Sequence, residues 1–400
     1  GLRVPLASGP APAEQPASAN TTETAPGVLE RLAGFALNAD LRVPELLYSD
    51  ASTAANGGAE VAIRGLHVTS VFARDQLPFA RVDAELASAP PGVLRADVRA
   101  LDPLKLLAEP DGVAKFRVAC DVQARGIPTA LVDALAGQEG LLVEALGPRL
   151  ELTLKSASLS QTEGAIVADL VSDLHRVHCE GVMEQGHFRI VKQDGLVAHV
   201  GLGPIVNQKV VGKLVPMLVN LKKPDGSAPA LIALSAFDFP LDGNLRGLDA
   251  DVRIDLGEVT YALLPGLETY FGNAVDLKPT RLRALDVPIR KGVASYKDLS
   301  IPISGHNVSF SGSFDLVDLT MKFDTSLPLK LLGKKANAEL ERVREYVDPE
   351  LAVPIEIRGT YRSPRVGFGD GFLKKVLEDA AKGGLGDLLD GLLKKKKKKD

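Results

Sequence analysis

The chain has 400 residues, 45% of them apolar, with a mean hydropathy of +0.07, which excludes wholesale disorder and admits one large domain or two to three ordinary ones. Its 47 Lys and Arg against 51 Asp and Glu leave a net charge of −4, which excludes a strong basic field for nucleic acid. The balance is uneven. Lys394 to Lys399 form one unbroken run, and without it and Asp400 the body carries 41 basic and 50 acidic side chains, a net −9.

Residues 1–26 hold five prolines among Ala, Ser, Thr and Glu and read as a flexible linker. Gly1 opens the chain with neither a Met nor a signal-like charged-then-apolar start, so a piece of a longer protein lacking its N-terminal targeting segment is expected. Val28, Leu29, Leu32 and Phe35 follow Pro26-Gly27 at helical spacing and predict a short amphipathic helix.

Beyond that helix the dominant period is two. In residues 114–122, Ala114, Phe116, Val118, Cys120 and Val122 alternate with Lys115, Arg117, Ala119 and Asp121, the pattern of a half-buried strand. Leu248, Ala250, Val252, Ile254 and Leu256 alternate with Asp249, Asp251, Arg253 and Asp255. Val308, Phe310, Gly312 and Phe314 form one later face and Leu319, Met321 and Phe323 another, with a phase change at 315–318 that predicts a hairpin turn or a bulge. Shorter runs at 61–67, 80–86, 150–154, 287–289 and 353–357 behave alike.

Alternating apolar and charged faces mark antiparallel sheet with one wet side, whereas buried parallel strands read as continuous apolar runs, so a Rossmann-like architecture is disfavoured. Helices are predicted over 129–146, with a break at Gly137 and Gly140, and over 205–221, 261–271 and 332–347. They are too few and too irregular for a βαβ count. The last segment is amphipathic. Phe372, Leu373, Val376, Leu377 and Ala380, then Leu385, Leu388, Leu389, Leu392 and Leu393, predict a helix or helix pair broken at Gly383-Gly384 and running into the lysines, which suit the negative end of the helix dipole.

Candidate chemistry is sparse. His175-x-x-His178-Cys179 is the one cluster of potential metal ligands; on a strand, positions 175 and 178 point to opposite faces, and incidental placement is preferred to a metal. Cys120 and Cys179 cannot make a disulfide framework and lack a Cys-x-x-Cys partner. One bridge between them is conceivable in an oxidising compartment, and two free thiols are preferred. Gly201-x-Gly203 precedes a helical segment but lacks the third glycine and the ribose-binding acid of a phosphate loop. Residues 242–253 begin like a calcium loop with Asp242, Asn244 and Gly247, yet Arg246 and Arg253 stand where ligands belong. There is no Gly-x-Ser-x-Gly elbow, and Ser304-Gly-His306 reads as a turn. No stretch approaches the roughly 18 apolar residues that span a bilayer. Aromatics are 5%, Trp is absent and none is interleaved with the lysines, so base stacking has no support. No enzyme, cofactor, metal or nucleic-acid partner is expected.

The C-terminal third carries a recognisable order. Val287-Pro-Ile289 and a strand over 296–303 lead into Val308-Ser-Phe-Ser-Gly-Ser-Phe-Asp-Leu316. Leu319-Thr-Met-Lys-Phe323, Val353-Pro-Ile-Glu-Ile-Arg-Gly-Thr-Tyr-Arg-Ser-Pro364 and the Leu-rich helix ending in lysines follow. This resembles the C-terminal region of the AsmA family, with Asp315, Gly359-Thr360 and Pro364 at matching positions. Pro204-Ile-Val-Asn-Gln-Lys209 and the helix after it resemble the segment before that family's last domain. The resemblance covers about residues 200–396.

It implies a mainly β protein with accessory helices, whose long, curved antiparallel sheets form an elongated, partly open groove of the bridge-like lipid-transfer type. It further implies periplasmic location, an inner-membrane anchor in the full-length parent, and a role in moving phospholipid for the outer membrane. Four segments are expected: a linker (1–26), a β-rich domain (27–200), an AsmA-like β domain (201–368) and the amphipathic helix with its poly-Lys tail (369–400).

The physical argument agrees. An acyl chain of about 16 carbons gains roughly 0.8 kcal/mol per buried methylene, on the order of 12 kcal/mol gross, without any polar catalytic group. The expected lipid-lining residues are Val252, Ile254, Leu256, Val308, Phe310, Leu319, Met321 and Phe323, with a closed dry core as the competing possibility for the same side chains. Leu388, Leu392, Lys394 and Lys395 are the expected membrane contacts. The expected partners are phospholipid or another acyl lipid, the bacterial envelope membranes and an outer-membrane protein. The rival function is a scaffold or assembly factor for outer-membrane proteins with no lipid conduit.

Overall fold

A computed structural model describes residues 37–49, 60–73, 76–87, 91–101, 116–174, 176–191, 195–264, 266–271, 278–303, 305–333, 336, 338, 340, 351–369, 371, 372 and 374. The linker over 1–26, the helix begun at Val28, His175, Ser304, most of the helix over 332–347 and the Leu388-to-Lys395 segment lie outside the described residues.

The fold is mainly β, with few helices and a long antiparallel sheet that stays open. The chain divides into two compact units. Unit 1 runs to Ala198 and adds Asp238–Asp242; unit 2 comprises His199–Phe237 and everything from Gly243.

Unit 1 is an antiparallel meander of β1 (Leu37–Ser49), β2 (Glu60–Ala73), β3 (Gln76–Leu86), β4 (Gly92–Ala100), β5 (Val118–Pro128), β6 (Arg149–Leu159), β7 (Gly164–Ser172), β8 (Arg176–Glu184) and β9 (His187–Ile190), each strand pairing with the next. The alternation of 114–122 belongs to β5, which starts at Val118. Between β5 and β6 the register shifts between Ala124 and Ile127, and Gly126 holds φ +60 there, a left-handed conformation that glycine adopts without strain in a bulge.

The helical pattern of 129–146 appears as α1 (Thr129–Leu135) and α2 (Leu141–Leu146), with Gly137 and Gly140 both at positive φ between them. Buried Asp133 joins the two helices by accepting from the backbone N–H of Gly140 at 2.5 Å and of Leu142 at 2.6 Å. Leu131 packs with Leu86, Ala124, Ile127 and Leu150 into a small core at one end of the strands.

A strand β10 (Leu196–Val200) leads into unit 2. There the helical turns α3 (Pro204–Val206), a π turn (Asn207–Val211) and α4 (Gly212–Leu214) precede β11 (Leu218–Lys222) and β12 (Ala230–Pro240). The last residues of β12, Asp238 to Pro240, belong to unit 1 and pair with β9. The main sheet of unit 2 joins β13 (Asp249–Asp255), β16 (Leu285–Arg290), β17 (Val293–Ile303), β18 (His306–Asp315), β19 (Thr320–Pro328), β20 (Ala352–Thr360) and β21 (Ser363–Phe368) in antiparallel pairs. A smaller sheet pairs β14 (Glu258–Leu263) with β11 and with β15 (Thr280–Arg281), and α5 (Glu268–Phe271) follows β14.

Two helices expected from the sequence are shorter than their apolar spacing suggests. The 205–221 pattern is helical only to Leu214 and becomes β11 at Leu218; of the 261–271 pattern, Tyr261 to Leu263 belong to β14. Each pattern contains an X-Pro step, Val215-Pro216 and Leu264-Pro265. Proline's ring pushes its predecessor out of the α region, and Val215 accordingly sits at φ −134, ψ 68.

The phase change at 315–318 is the β18–β19 turn. Asp315 Oδ1 accepts from the backbone N–H of Val317 and Asp318, both at 2.9 Å, and Arg246 ties the turn to Asp315 and Asp318 at 2.7 and 2.6 Å. The Gly359-Thr360 to Pro364 string is the β20–β21 hairpin, with Thr360 opposite Ser363 and Gly359 opposite Pro364.

Candidate apolar binding surface

The eight side chains expected to line a groove lie in unit 2, and there seven of them are core. Val252, Ile254, Leu256, Val308, Phe310, Met321 and Phe323 are all buried; Leu319 is half-buried in the turn before β19, at φ +52. The covering layer comes from the same unit. Phe271 of α5 meets Phe310 at 5.8 Å between ring centroids, the Tyr296 hydroxyl of β17 donates to the Leu214 carbonyl at 3.0 Å, and the Tyr261 hydroxyl of β14 donates to the Pro302 carbonyl. The void that Ile254 and Leu256 line holds about 20 Å³, room for about one water and not for an acyl chain. Seven of the eight side chains thus take the competing possibility, a closed core beneath helical turns and a second small sheet, and Leu319 stands at its edge. The expected membrane contacts Leu388, Leu392, Lys394 and Lys395 lie outside the described residues. Among the described residues no helix is long and apolar enough to cross a membrane.

Unit 1 presents the opposite case. Because directly paired residues of antiparallel strands project to the same side, the registers can be followed across the sheet. Leu41, Val68, Val82, Ala96, Val122, Leu154, Ala168 and Cys179 form one unbroken row through β1 to β8. A parallel row runs through Ala84, Leu94, Ala124, Leu152, Leu170 and Val177. Not one member of the first row is buried: Leu41 is exposed and the other seven are half-buried. Among the described helices of unit 1, only α1 and α2 pack over the sheet, and they do so where Leu86, Ile127 and Leu150 close one end. Eight strands at about 4.8 Å spacing make this aliphatic surface about 34 Å wide.

The reverse face is polar in the same registers. Thr69, Arg81, Asp97, Asp121 and Lys155 form one row, and His67, Asp83, Arg95, Gln123, Thr153, Asp169 and His178 another. Arg81 Nε donates to Asp97 at 2.7 Å, Arg95 pairs with Asp83 at 3.5 Å and Lys155 with Asp121 at 3.7 Å. Such exposed pairs are each worth about 0–1 kcal/mol, so their effect is to keep this face wet and to fix which face is apolar. His178 contacts Asp169 at 2.8 Å and Glu180 at 2.9 Å, and no group of three or more ligands able to hold a metal occurs among the described residues.

Both cysteines are free and half-buried on the apolar side. Cys120 pairs with Ser156 of β6 and Cys179 with Ala168 of β7, three strand spacings apart in the order β5 to β8, about 14 Å, which is beyond disulfide reach. Burial pushes both thiols above their ordinary pKa, with Asp121 adding to the effect at Cys120 and Glu180 at Cys179, while the Ser156 backbone opposes it at Cys120. Period-two alternation over 61–67, 80–86, 114–122 and 150–154 was the sequence signal for this surface. It was no stronger than the signal in unit 2.

Comparison of the chain with family models, with curated proteins and with solved structures finds no match.

Proposed function

We propose that this chain is a lipid-binding or lipid-transfer protein of the bacterial envelope, holding acyl chains on the aliphatic face of unit 1. The observation that carries this reading is the eight-residue apolar row from Leu41 to Cys179, which lacks a buried member. A face of that width left in water costs free energy at about 25 cal/mol per Å², and covering it with methylenes recovers that cost without hydrogen-bonding chemistry. Phospholipid is the proposed ligand and the periplasm the proposed compartment. An inner-membrane anchor in the parent protein belongs to the same reading, which accords with the AsmA-like order of the C-terminal segments.

Native mass spectrometry of the purified protein tests it. Co-purifying phospholipid is expected, and Val122→Asp combined with Leu170→Asp should remove it while the circular dichroism of the sheet is kept, since both positions are half-buried. A folded protein that neither retains nor photo-crosslinks lipid would overturn the reading in favour of a scaffold without a conduit.

A further inference from the structure

Unit 2 contains a cavity of about 710 Å³, within the size range of small-molecule sites, between the π turn and β11. It shares no residue with the apolar row of unit 1. Its walls are irregular in three ways that fix side chains in unusual directions. Asn207 opens a π turn, Asn220 is a non-glycine residue at φ +54, and the β11–β14 register slips between Val219 and Lys222. Asn207 Nδ2 donates to the Leu221 carbonyl at 2.5 Å, pinning the turn to the strand across the cavity.

The charge of the lining is one-sided, although the buried Asn207 Oδ1 is an acceptor without a partner. Leu202, Pro204 and Val219 supply an aliphatic wall, and two lysines but no carboxylate line the space. Lys223 is already engaged: its Nζ donates to the Leu256 carbonyl at 2.7 Å, burial lowers its pKa, and Asp255, Glu258 and Arg281 surround it. Lys222 is exposed and has no partner among the described residues. The half-buried Tyr361 hydroxyl is likewise without a hydrogen-bond partner. It sits where a side chain at Gly212 would intrude, since a Cβ there would lie 3.1 Å from it. Gln208 and Asn220 add exposed amides.

An aliphatic wall beside an unpaired ammonium, a phenol and two amide donors matches a molecule with a short hydrocarbon body and a single anionic head. We infer that this cavity binds an amphipathic anion of the fatty-acid class, its head held by Lys222 and Tyr361 and its chain laid along Leu202 and Val219. The carboxylate of a free fatty acid and the phosphate of a lipid head present the same acceptor oxygens, and the test separates them.

The test titrates the delipidated full chain with decanoate, decyl phosphate and decanol, followed by calorimetry and by amide chemical shifts. Saturable binding of decanoate with shifts confined to the residues around Asn207, Asn220 and Tyr361 is expected, with decanol weaker by about tenfold or more. Tighter binding of decyl phosphate than of decanoate assigns the site to a lipid head, and the reverse assigns it to a free acid. Lys222→Gln should weaken decanoate by about tenfold, and Tyr361→Phe, which keeps the ring packed against Phe314, should weaken it less. Decanoate binding that both variants leave unchanged, or no binding at all, overturns the inference. If Val122→Asp with Leu170→Asp abolishes decanoate binding while Lys222→Gln does not, the pocket is overturned and the unit 1 surface stands. Loss of retained phospholipid in the unit 1 variant with intact decanoate binding separates the two in the other direction.

Discussion

Two rows of side chains, one in each unit, run across antiparallel strands with the same alternation and end in opposite environments. In unit 1 the row from Leu41 to Cys179 is half-exposed at nearly every step. In unit 2 the row Ala250, Ile289, Ala294, Phe314 and Met321 is buried throughout, no member exceeding 3% exposure. The strands of unit 2 bury four bulky aromatic or sulfur side chains, Phe310, Phe314, Met321 and Phe323, with Phe271 of α5 against Phe310. The central row of unit 1 is built from Val, Leu, Ala and Cys, with the described helices only at one end. The difference teaches that alternation specifies a two-faced strand and leaves its covering layer open.

The largest effect separates the two rows directly. Phe310→Ala should destabilise unit 2 by about 3–5 kcal/mol, because the cavity it leaves is walled by Phe271 and cannot collapse fully, whereas Leu154→Ala in unit 1 should cost about 1 kcal/mol. Urea denaturation of both variants checks this, and equal losses would break the comparison.

Next comes Gly312 in β18, at φ +154 opposite Phe323. A Cβ there would stand 2.0 Å from the Lys322 carbonyl oxygen, so Gly312→Ala should cost about 2–3 kcal/mol by forcing β18 and β19 apart. The thermal midpoint of the variant measures it.

A smaller contribution of about 1 kcal/mol attaches to Asp315. Burial alone pushes its carboxyl up, but the backbone N–H of Asp318, the Arg246 guanidinium and the Val317 N–H together hold it below the ordinary carboxylate range. A carboxyl with a lowered folded pKa adds stability that is complete above its unfolded value. The contribution is lost as pH falls below about 4 toward the folded value. Asp315→Asn should therefore flatten the acid limb of the stability curve, measured by denaturation between about pH 5 and pH 2.

The mildest readout uses the native thiols of unit 1. Since burial raises both cysteines, iodoacetamide at pH 8 should modify them more slowly than a free cysteine, with the rate rising as pH rises. Added phospholipid vesicles should slow the reaction further if acyl chains cover the face; an unchanged rate would count against the unit 1 surface.

Most strands were legible in the amino-acid order. The Asp249, Asp251, Arg253, Asp255 alternation is β13, and the phase change at 315–318 is the β18–β19 turn, because a one-residue shift inverts which face is apolar. The break at Gly137 and Gly140 is the α1–α2 connection for a similarly local reason. The patterns at 205–221 and 261–271 were less faithful. Their apolar spacing suits a helix, yet Pro216 and Pro265 cut each one, and the residue before a proline resists the α conformation. The expected lining residues were the least legible: Ile254 and Phe310 read identically as core or as lining, since nothing local records the aromatic cap that Phe271 provides over β18.

The sequence by itself determined a mainly β chain, its two-faced antiparallel strands, the scarcity of metal and nucleophile motifs and the preference for free thiols. Those properties depend on residues near one another in the chain or on residue counts. Tertiary structure alone decided which apolar rows are sealed, because covering a sheet requires elements distant in sequence. The helical turns over 204–214 and the strands from 258 onward do this in unit 2, while the described helices of unit 1 cover only one end of its sheet. It likewise assembled the cavity beside Lys222 and Tyr361, two residues separated by well over a hundred positions that no local pattern could have joined.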